Sequence, residues 1–252
     1  MSTSHWSYDH IADVYGTDMG RSMPFNDIAW YLALAQRMKG PALELGCGTG
    51  RILLAMACAG IQVTGIDKSL PMLARLRNDA QLQGVNPSVA QMDMCHLGLT
   101  AKFSCIILAY SLITYVLDDV QAITLLRQLR KQLDAGGVIV IDAFIPKAIQ
   151  HFSGFKLDYE RNHLQGTLTR SKKITILANH RHQIDRQYVF RDRQKQVQRI
   201  INTVDVIRPY GIEELHQMAQ RTGYAVDECI FDYTSSEFSP DARFVTLSLR
   251  SA

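Results

Sequence analysis

Short apolar runs alternate with segments of helical spacing between residues 41 and 144. The runs predict buried strands at 41–45, 62–66, 88–91, 103–109 and 138–144. Segments with apolar residues three and four positions apart predict helices at 8–19, 26–38, 51–59, 69–82 and 118–133. Continuously apolar strands separated by helices are typical of a parallel sheet that is covered on both faces.

The pattern changes after Pro146, where polar and apolar residues begin to alternate. Between 166 and 207 this alternation predicts three antiparallel strands, followed by a helix at 212–221 and strands at 225–233 and 243–249. We therefore expect an α/β fold with a Rossmann-like doubly wound sheet, mostly parallel with an antiparallel last strand. A small inserted antiparallel β-sheet would form a cap. The predicted domains are 1–146 with 208–252, and the cap at 147–207.

Composition narrows the class of protein further. Apolar residues make up 47% and charged residues 20% of the 252 positions, as in ordinary globular chains. No apolar run approaches the roughly 18 residues of a membrane span, and the polar N-terminus with Asp9 does not resemble a signal peptide. The five cysteines form no Cys-x-x-Cys pair, which predicts reduced thiols, no metal site and a cytoplasmic location.

Charge is distributed unevenly along the chain. The net charge is only +3, yet residues 161–200 contain ten Lys and Arg against Asp185 and Asp192. An excess of this size indicates a surface that meets an anionic group. The solvated face of an exposed sheet, or a dimer surface, would have the same composition, so these interpretations stay open.

A glycine-rich turn carries the strongest chemical signal. Leu43-Glu44-Leu45 leads into Gly46, Gly48 and Gly50 with the spacing GxGxG, and Asp67 ends the next apolar strand. An acid about twenty residues after such a turn can accept hydrogen bonds from both hydroxyls of a ribose. These residues resemble motif I and the following acidic position of class I S-adenosylmethionine-dependent methyltransferases. The turn alone would also fit a nicotinamide-dependent oxidoreductase, although its spacing and Glu44 disfavour that class.

The resemblance implies a set of positions around S-adenosyl-L-methionine as cofactor. Gly46 and Gly48 let the backbone approach the ligand closely. Asp67 would bind the ribose, and Asp93 and the backbone N–H that follows it would bind the adenine. Met72 would cover the adenine or serve as a core residue of its helix. The complete expected set from the strand ends is Glu44, Gly46, Cys47, Gly48, Asp67, Lys68, Met72, Asp93, Met94 and Ala109.

The N-terminal segment from Tyr8 to Arg21 resembles the helical lid of glycine N-methyltransferase and of amino-sugar N,N-dimethyltransferases. The resemblance implies that Tyr15 and Arg21 hold the carboxylate of the cofactor, a task that suits the fork of a guanidinium. A core aromatic and a surface cation are the structural alternatives. The glycine-methylating relatives carry an Arg just beyond the fifth strand, whereas this chain has Asp142-Ala143-Phe144-Ile145. Glycine is therefore not the expected acceptor.

The acceptor side is less well defined by the sequence. Ala109-Tyr110-Ser111 follows the fourth strand and would face the methyl group. It contains no Asn-Pro-Pro-Tyr or Asp-Pro-Pro-Phe run, which would resemble enzymes that methylate base amino groups, and no Pro-Cys pair of the cytosine-C5 type occurs. The lack of either resemblance argues against nucleic acid as the substrate. If the acceptor needs a base, the candidates for this catalytic role are Tyr110, Tyr115, His151, His180 and His182. In a strand, His180 and His182 would share one face.

The expected function is methyl transfer to a small-molecule N or O nucleophile, in secondary metabolism. The cap would roof the acceptor, and its cations suit a phosphate- or carboxylate-bearing molecule such as a nucleotide sugar. These cations are Arg170, Lys172, Lys173, Arg181, Arg186, Arg191, Arg193 and Arg199. The alternative from another class is a catalytically silent methyltransferase-like binding subunit. We expect no partner among nucleic acids or membranes, and a homodimer is compatible with the cap.

Overall fold

A computed structural model describes residues 6–19, 25–147 and 154–252 of the chain. Its main sheet has seven strands, which are parallel except at one edge. The strands are β1 (Ala42–Leu45), β2 (Val63–Asp67), β3 (Ser88–Gln91), β4 (Phe103–Leu108), β5 (Leu133–Phe144), β10 (Tyr224–Phe231) and β11 (Phe244–Ser251). They lie in the order β10-β11-β5-β4-β1-β2-β3. The predicted doubly wound α/β sheet is confirmed.

Six α-helices accompany the strands in the described part of the chain. They are α1 (Tyr15–Met19), α2 (Asp27–Met38), α3 (Leu53–Cys58), α4 (Leu70–Leu82), α5 (Asp119–Gln132) and α6 (Ile212–Arg221). Helix α4 begins after Ser69, whose side chain accepts the N–H of Met72, and Asp118 caps α5 in the same way. None of the helices within 6–19, 25–147 and 154–252 is long and apolar enough to cross a membrane.

A second sheet is built from the inserted segment. Its four antiparallel strands are β6 (Lys156–His163), β7 (Gly166–Ile176), β8 (His182–Arg191) and β9 (Val197–Ile207), in that order. The three antiparallel strands predicted between 166 and 207 are confirmed as β7, β8 and β9. Strand β6 was not predicted, because its sequence KLDYERNH is polar and carries little alternation. The boundary drawn at 147–207 for a separate cap domain stays a prediction.

The N-terminal helix predicted at 8–19 is also wrong. A 3₁₀ turn at Ser7–His10 and the short α1 replace it. The physical reason is tertiary packing: Ile11 and Val14 are buried in a small core with Leu168 and Tyr188 of the second sheet and Met72 of α4. An intervening turn lets both apolar residues reach this core.

The two larger cores lie on opposite faces of the main sheet. One joins α5 and α6 to strand residues such as Ile106 and Leu247. The other joins α2, α3 and α4 to residues such as Cys105 and Val140. With both faces covered, a ligand is expected at the carboxyl edge of the parallel strands, which is where such sheets bind their ligands.

Candidate active site

A cavity of about 630 Å³ opens at the carboxyl edge of β1 to β4. Nine residues of the predicted cofactor set line it, together with two of the predicted acceptor residues. The nine are Tyr15, Gly46, Gly48, Asp67, Lys68, Met72, Asp93, Met94 and Ala109, and the two are Tyr110 and Tyr115. The cavity thus brings together residues from the N-terminal segment and from the ends of four neighbouring strands.

The glycine turn forms the floor of this cavity. Gly46 and Gly48 have φ angles of 61° and 55°, in the left-handed region that favours glycine. A Cβ on Gly46 would lie 2.6 Å from Cδ1 of Leu112, so a side chain cannot be added without displacing its neighbour. A Cβ on Gly48 would face the ring of Tyr15 at 3.9 Å. Both glycines therefore keep backbone exposed toward the cavity.

Asp67 is fixed by backbone groups at the end of β2. Its two carboxylate oxygens accept the N–H of Gly48 at 2.8 Å and the N–H of Ser69 at 2.7 Å. Burial raises the pKa of Asp67, and these two donors oppose the rise. Each carboxylate oxygen retains further lone pairs, so the side chain can still accept a diol.

Asp93 lies at the end of β3 within reach of a cation. Its carboxylate accepts the N–H of Cys95 at 2.9 Å and lies 3.5 Å from Nζ of Lys68. The same Nζ is 5.1 Å from the ring centroid of Trp6. Trp6 also lines the cavity. It was not predicted from the sequence, because it lies two positions before the lid segment and belongs to no motif.

Glu44 and Cys47 lie behind the turn and do not line the cavity. Glu44 is 4% exposed, and one of its carboxylate oxygens has no hydrogen-bond partner. Burial raises the pKa of Glu44 to about 8, although the nearby Arg51 opposes the rise. Arg51 makes its own paired hydrogen bonds to Asp27, at 2.7 and 2.6 Å. Cys47 is buried in the core against Gly65.

The N-terminal segment closes the cavity from above. The hydroxyl groups of Tyr8 and Tyr115 are 2.6 Å apart, across 107 positions of sequence. At the other end of the segment, the buried Asp18 accepts hydrogen bonds from Tyr159, Arg170 and Tyr188 of the second sheet. The segment is therefore attached both to the cavity wall and to the cap. Arg21, predicted beside Tyr15, lies outside the described residues.

The predicted bases differ in where they lie. Tyr110 and Tyr115 line the cavity. Burial raises the pKa of Tyr110 to about 12 and that of Tyr115 well above its ordinary value. His180 does not line the cavity. It lies in the turn between β7 and β8 with a φ of 57°, before β8 begins at His182, so no single strand places the two residues on a shared face. His151 lies outside the described residues.

Four of the eight predicted cap cations form ion pairs with acids in the described part of the chain. Those with a carboxylate partner are Arg170 with Asp18 and Asp158, Lys172 with Asp158, Arg186 with Asp205, and Arg199 with Asp13. Arg181 differs, because it lines the cavity and its Nε donates to the carbonyl of Leu117 at 3.2 Å. Within the described residues no carboxylate lies within ion-pair distance of Arg181. It is therefore the cap cation best placed for a ligand.

Comparison with known proteins decides the class. Residues 42–137, which span β1 to the start of β5, match the family described as "Methyltransferase domain". This chain contains a methyltransferase domain. The predicted class of enzyme, a methyltransferase, is thereby confirmed for these residues. The predicted cofactor, S-adenosylmethionine, is the ligand named for the solved structure of CalS10, an amino pentose methyltransferase of the same fold. The match also favours this class over the nicotinamide-dependent oxidoreductase that the glycine turn alone left open.

Individual relatives agree with this assignment. This chain is 28% identical over 130 residues to the cypemycin N-terminal methyltransferase of a Streptomyces species. The alignment covers 50% of this chain and 51% of that protein. Alignments with the two curated relatives of 28% identity span only 44% and 51% of their lengths.

Solved structures support the fold along nearly the whole chain. CcbJ methyltransferase from Streptomyces caelestis has a TM-score of 0.82 at 24% identity, with 98% of both chains covered. The sugar N-methyltransferase KedS8 from Streptoalloteichus has a TM-score of 0.73 at 18% identity, with 95% of this chain and 92% of that chain covered. The second antiparallel sheet therefore lies within the region that resembles these proteins.

Proposed function

We propose that this methyltransferase transfers a methyl group from S-adenosylmethionine to an amine of a small molecule, in secondary metabolism. The observation that carries the choice of an amine is the state of the phenols that wall the inner cavity. Tyr110 and Tyr115 have pKa values raised by burial, so they stay protonated near neutral pH and cannot remove a proton from the acceptor. A neutral amine attacks through its own lone pair, whereas a hydroxyl needs a base.

The cavity fits the cofactor in size and in chemistry. Its volume of about 630 Å³ is in the range of sites for drug-sized ligands, and the left-handed glycines keep its floor free of side chains. In the proposed arrangement Asp67 accepts the ribose hydroxyls, Asp93 and the N–H of Met94 bind the adenine, and Tyr15 with Arg21 binds the carboxylate. When bound, the cofactor supplies a methyl group that is already activated by its sulfonium.

The protein then has to align the acceptor and exclude water. Orientation of this kind can contribute on the order of 7–11 kcal/mol in well-aligned reactions. Tyr8, Tyr15 and Tyr115 surround the inner cavity, and the hydrogen bond between Tyr8 and Tyr115 closes it. We assign these aromatic side chains the task of excluding water, with the amine entering beside Ala109 and Tyr110.

The proposed acceptor carries an anionic group in addition to its amine. Arg181 supports this, because it lines the cavity and no carboxylate among the described residues forms an ion pair with it. A guanidinium binds carboxylate and phosphate through paired hydrogen bonds. The names of the cypemycin N-terminal methyltransferase and of the sugar N-methyltransferase KedS8 support an amine as the atom methylated. Assembly as a homodimer and a cytoplasmic location remain part of the proposal.

The deciding experiment is a transfer assay with methyl-labelled S-adenosylmethionine and matched acceptor pairs. Each pair consists of an amine and its hydroxyl analogue, in three series: amino sugars and their nucleotide-linked forms, peptide N-termini and simple phenethylamines. We expect label in amines only, with anionic members preferred. Transfer to hydroxyls at equal rates would contradict the choice of an amine. Calorimetry that detects NADH binding but no S-adenosylmethionine binding would contradict the function as a whole.

A further inference from the structure

Two successive residues after β4 have left-handed backbone conformations. Tyr110 and Ser111 have φ angles of 54° and 57°. Neither is glycine, and side chains with a Cβ adopt this region at the expense of strain. Such residues persist where surrounding contacts over-determine them, and they concentrate at functional sites. Since Tyr110 lines the cavity, the restraint that holds this pair acts on the site itself.

That restraint is the carboxylate of Asp142 on β5. One of its oxygens accepts the N–H of Ser111 at 2.8 Å. The other accepts the hydroxyl of Tyr31 at 2.6 Å and that of Tyr233. The Oγ of Ser111 in turn accepts the N–H of Phe144, so the strained residue is bonded to β5 at two points. The carboxylate therefore connects α2, the segment after β10 and the end of β4.

Stability alone does not account for a carboxylate at this position. Asp142 is fully buried, and within the described residues no cation forms an ion pair with it. Its donors are neutral hydroxyl and amide groups, and burial raises its pKa. A buried carboxyl group held in this way is no better for stability than well-packed apolar residues. What the carboxylate does provide is a hydrogen-bond acceptor for the backbone N–H of Ser111, the residue that follows Tyr110.

Tyr110 is fixed by this arrangement at a defined place in the cavity wall. Its ring packs against the rings of Phe144 and Phe244, with centroids 5.4 and 5.9 Å away. Phe144 is the residue whose N–H binds Ser111, and Phe244 is its partner on the neighbouring strand β11. We infer that Asp142 is a positioning residue: through the backbone of Ser111 it holds Tyr110 in the orientation that shapes the acceptor end of the cavity. This inference rests on the proposed function, because it assigns that end to the acceptor.

The test compares two substitutions of Asp142 in the full chain. Asp142→Val removes both acceptor oxygens, whereas Asp142→Asn retains one oxygen for the N–H of Ser111. We expect Asp142→Val to lower kcat by about tenfold or more, as a small misplacement of reacting groups does. S-adenosylmethionine affinity in calorimetry should stay within about threefold, because Asp142 lies outside the cofactor residues, and Asp142→Asn should keep most of the turnover. Equal kcat for the two variants would overturn the inference.

The substitution Ser111→Gly distinguishes a positioning role of Asp142 from a role in general packing. Glycine adopts the left-handed region without strain, so Asp142→Val should lower kcat less in a Ser111→Gly background than in the wild type. An equal loss in both backgrounds would overturn the inference. Asp142→Ala replaces the valine variant in the same comparison if the latter does not fold.

A crystal structure of the variant gives a readout that needs no acceptor. The φ angles of Tyr110 and Ser111 should leave the left-handed region in Asp142→Val, and the ring of Tyr110 should move away from Phe144. Retention of both angles would overturn the positioning role. Failure of the proposed function is seen separately, as wild-type protein that binds S-adenosylmethionine but methylates no amine.

Discussion

The carboxylate of Asp67 accepts the backbone N–H of Gly48 at 2.8 Å, so the acid that ends β2 is bonded to the turn that follows β1. The two halves of the sequence motif are thus one structural unit. A ligand that binds Asp67 must also meet the glycine backbone. This relationship explains why the spacing between turn and acid is informative: parallel neighbouring strands bring both to the same edge.

Substitution of Asp67 should therefore lower the affinity for the cofactor and not only the stability of the fold. Asp67→Ala removes the acceptor for the ribose and leaves two backbone N–H groups without their partner. We expect S-adenosylmethionine affinity to fall by about tenfold or more, which corresponds to about 1.4 kcal/mol. Calorimetry measures this directly. Asp79→Ala, which removes an acid from the exposed ion pair with Arg75, is the control and should leave affinity unchanged. Equal affinity of the two variants would refute the ribose role.

The glycine turn gives a prediction with a close control. Gly46→Ala places a Cβ 2.6 Å from Leu112 at a φ of 61°, so it combines backbone strain with overpacking. Gly60→Ala has a φ of 76° but open space around its Cβ, so it has the strain without the clash. We expect Gly60→Ala to cost about 1–2 kcal/mol. Gly46→Ala should cost about 1–3 kcal/mol more.

Chemical denaturation of both variants measures the difference. Gly46→Ala should also weaken S-adenosylmethionine binding, since Leu112 and the turn both line the cavity. Identical unfolding free energies for the two variants would mean that Leu112 moves aside freely. The assignment of the turn as a tight floor would then be wrong.

Much of this site could be predicted from sequence, because strand ends in a parallel sheet converge at one edge. Asp67 and Asp93 end apolar runs, and both line the cavity. The shared face of His180 and His182 required one continuous strand, and the alternation of polar and apolar residues does not reveal the turn at Asn179 and His180. The hydrogen bond between Tyr8 and Tyr115 and the bonds of Asp142 to Tyr31 and Tyr233 join residues about a hundred positions apart. No local pattern in the sequence indicates such contacts.

Glu44 should make stability depend on pH. Burial raises the pKa of Glu44 from 4.5 to about 8, so the folded protein keeps a proton that the unfolded chain releases above pH 4.5. Stability from this group is therefore present below pH 4.5 and is lost as the pH rises toward 8. Glu44→Gln cannot ionise. The Tm of Glu44→Gln minus that of wild type should grow between pH 5 and 8 and then level off. A constant difference across this range would contradict the assignment.

Arg181 can be tested against another arginine of the cap. Arg181→Gln removes the guanidinium that lines the cavity, whereas Arg193→Gln changes an exposed arginine in the turn between β8 and β9. For an anionic amine found in the transfer assay, we expect Arg181→Gln to raise KM by about tenfold, the effect of losing one charge-assisted hydrogen bond of about 1.5–3 kcal/mol. Arg193→Gln should leave KM unchanged, and so should Arg181→Gln with a neutral acceptor. A loss of equal size for neutral and anionic acceptors would contradict anion binding.

Removal of the hydroxyl of Tyr115 tests whether this residue acts as a general base or only lines the cavity. If Tyr115 only closes the cavity, Tyr115→Phe loses the hydrogen bond to Tyr8 but keeps its ring against Trp6, 5.3 Å away between centroids. We then expect kcat within about threefold of wild type and an unchanged pH profile, because general-base catalysis contributes about a hundredfold or more where it operates. Tyr8→Phe removes the other hydroxyl of the same pair and should behave alike. A hundredfold loss in Tyr115→Phe alone, together with the disappearance of one limb of the pH profile, would identify Tyr115 as a base. The acceptor would then be a group that must lose its proton as it attacks, and the case for an amine would fail.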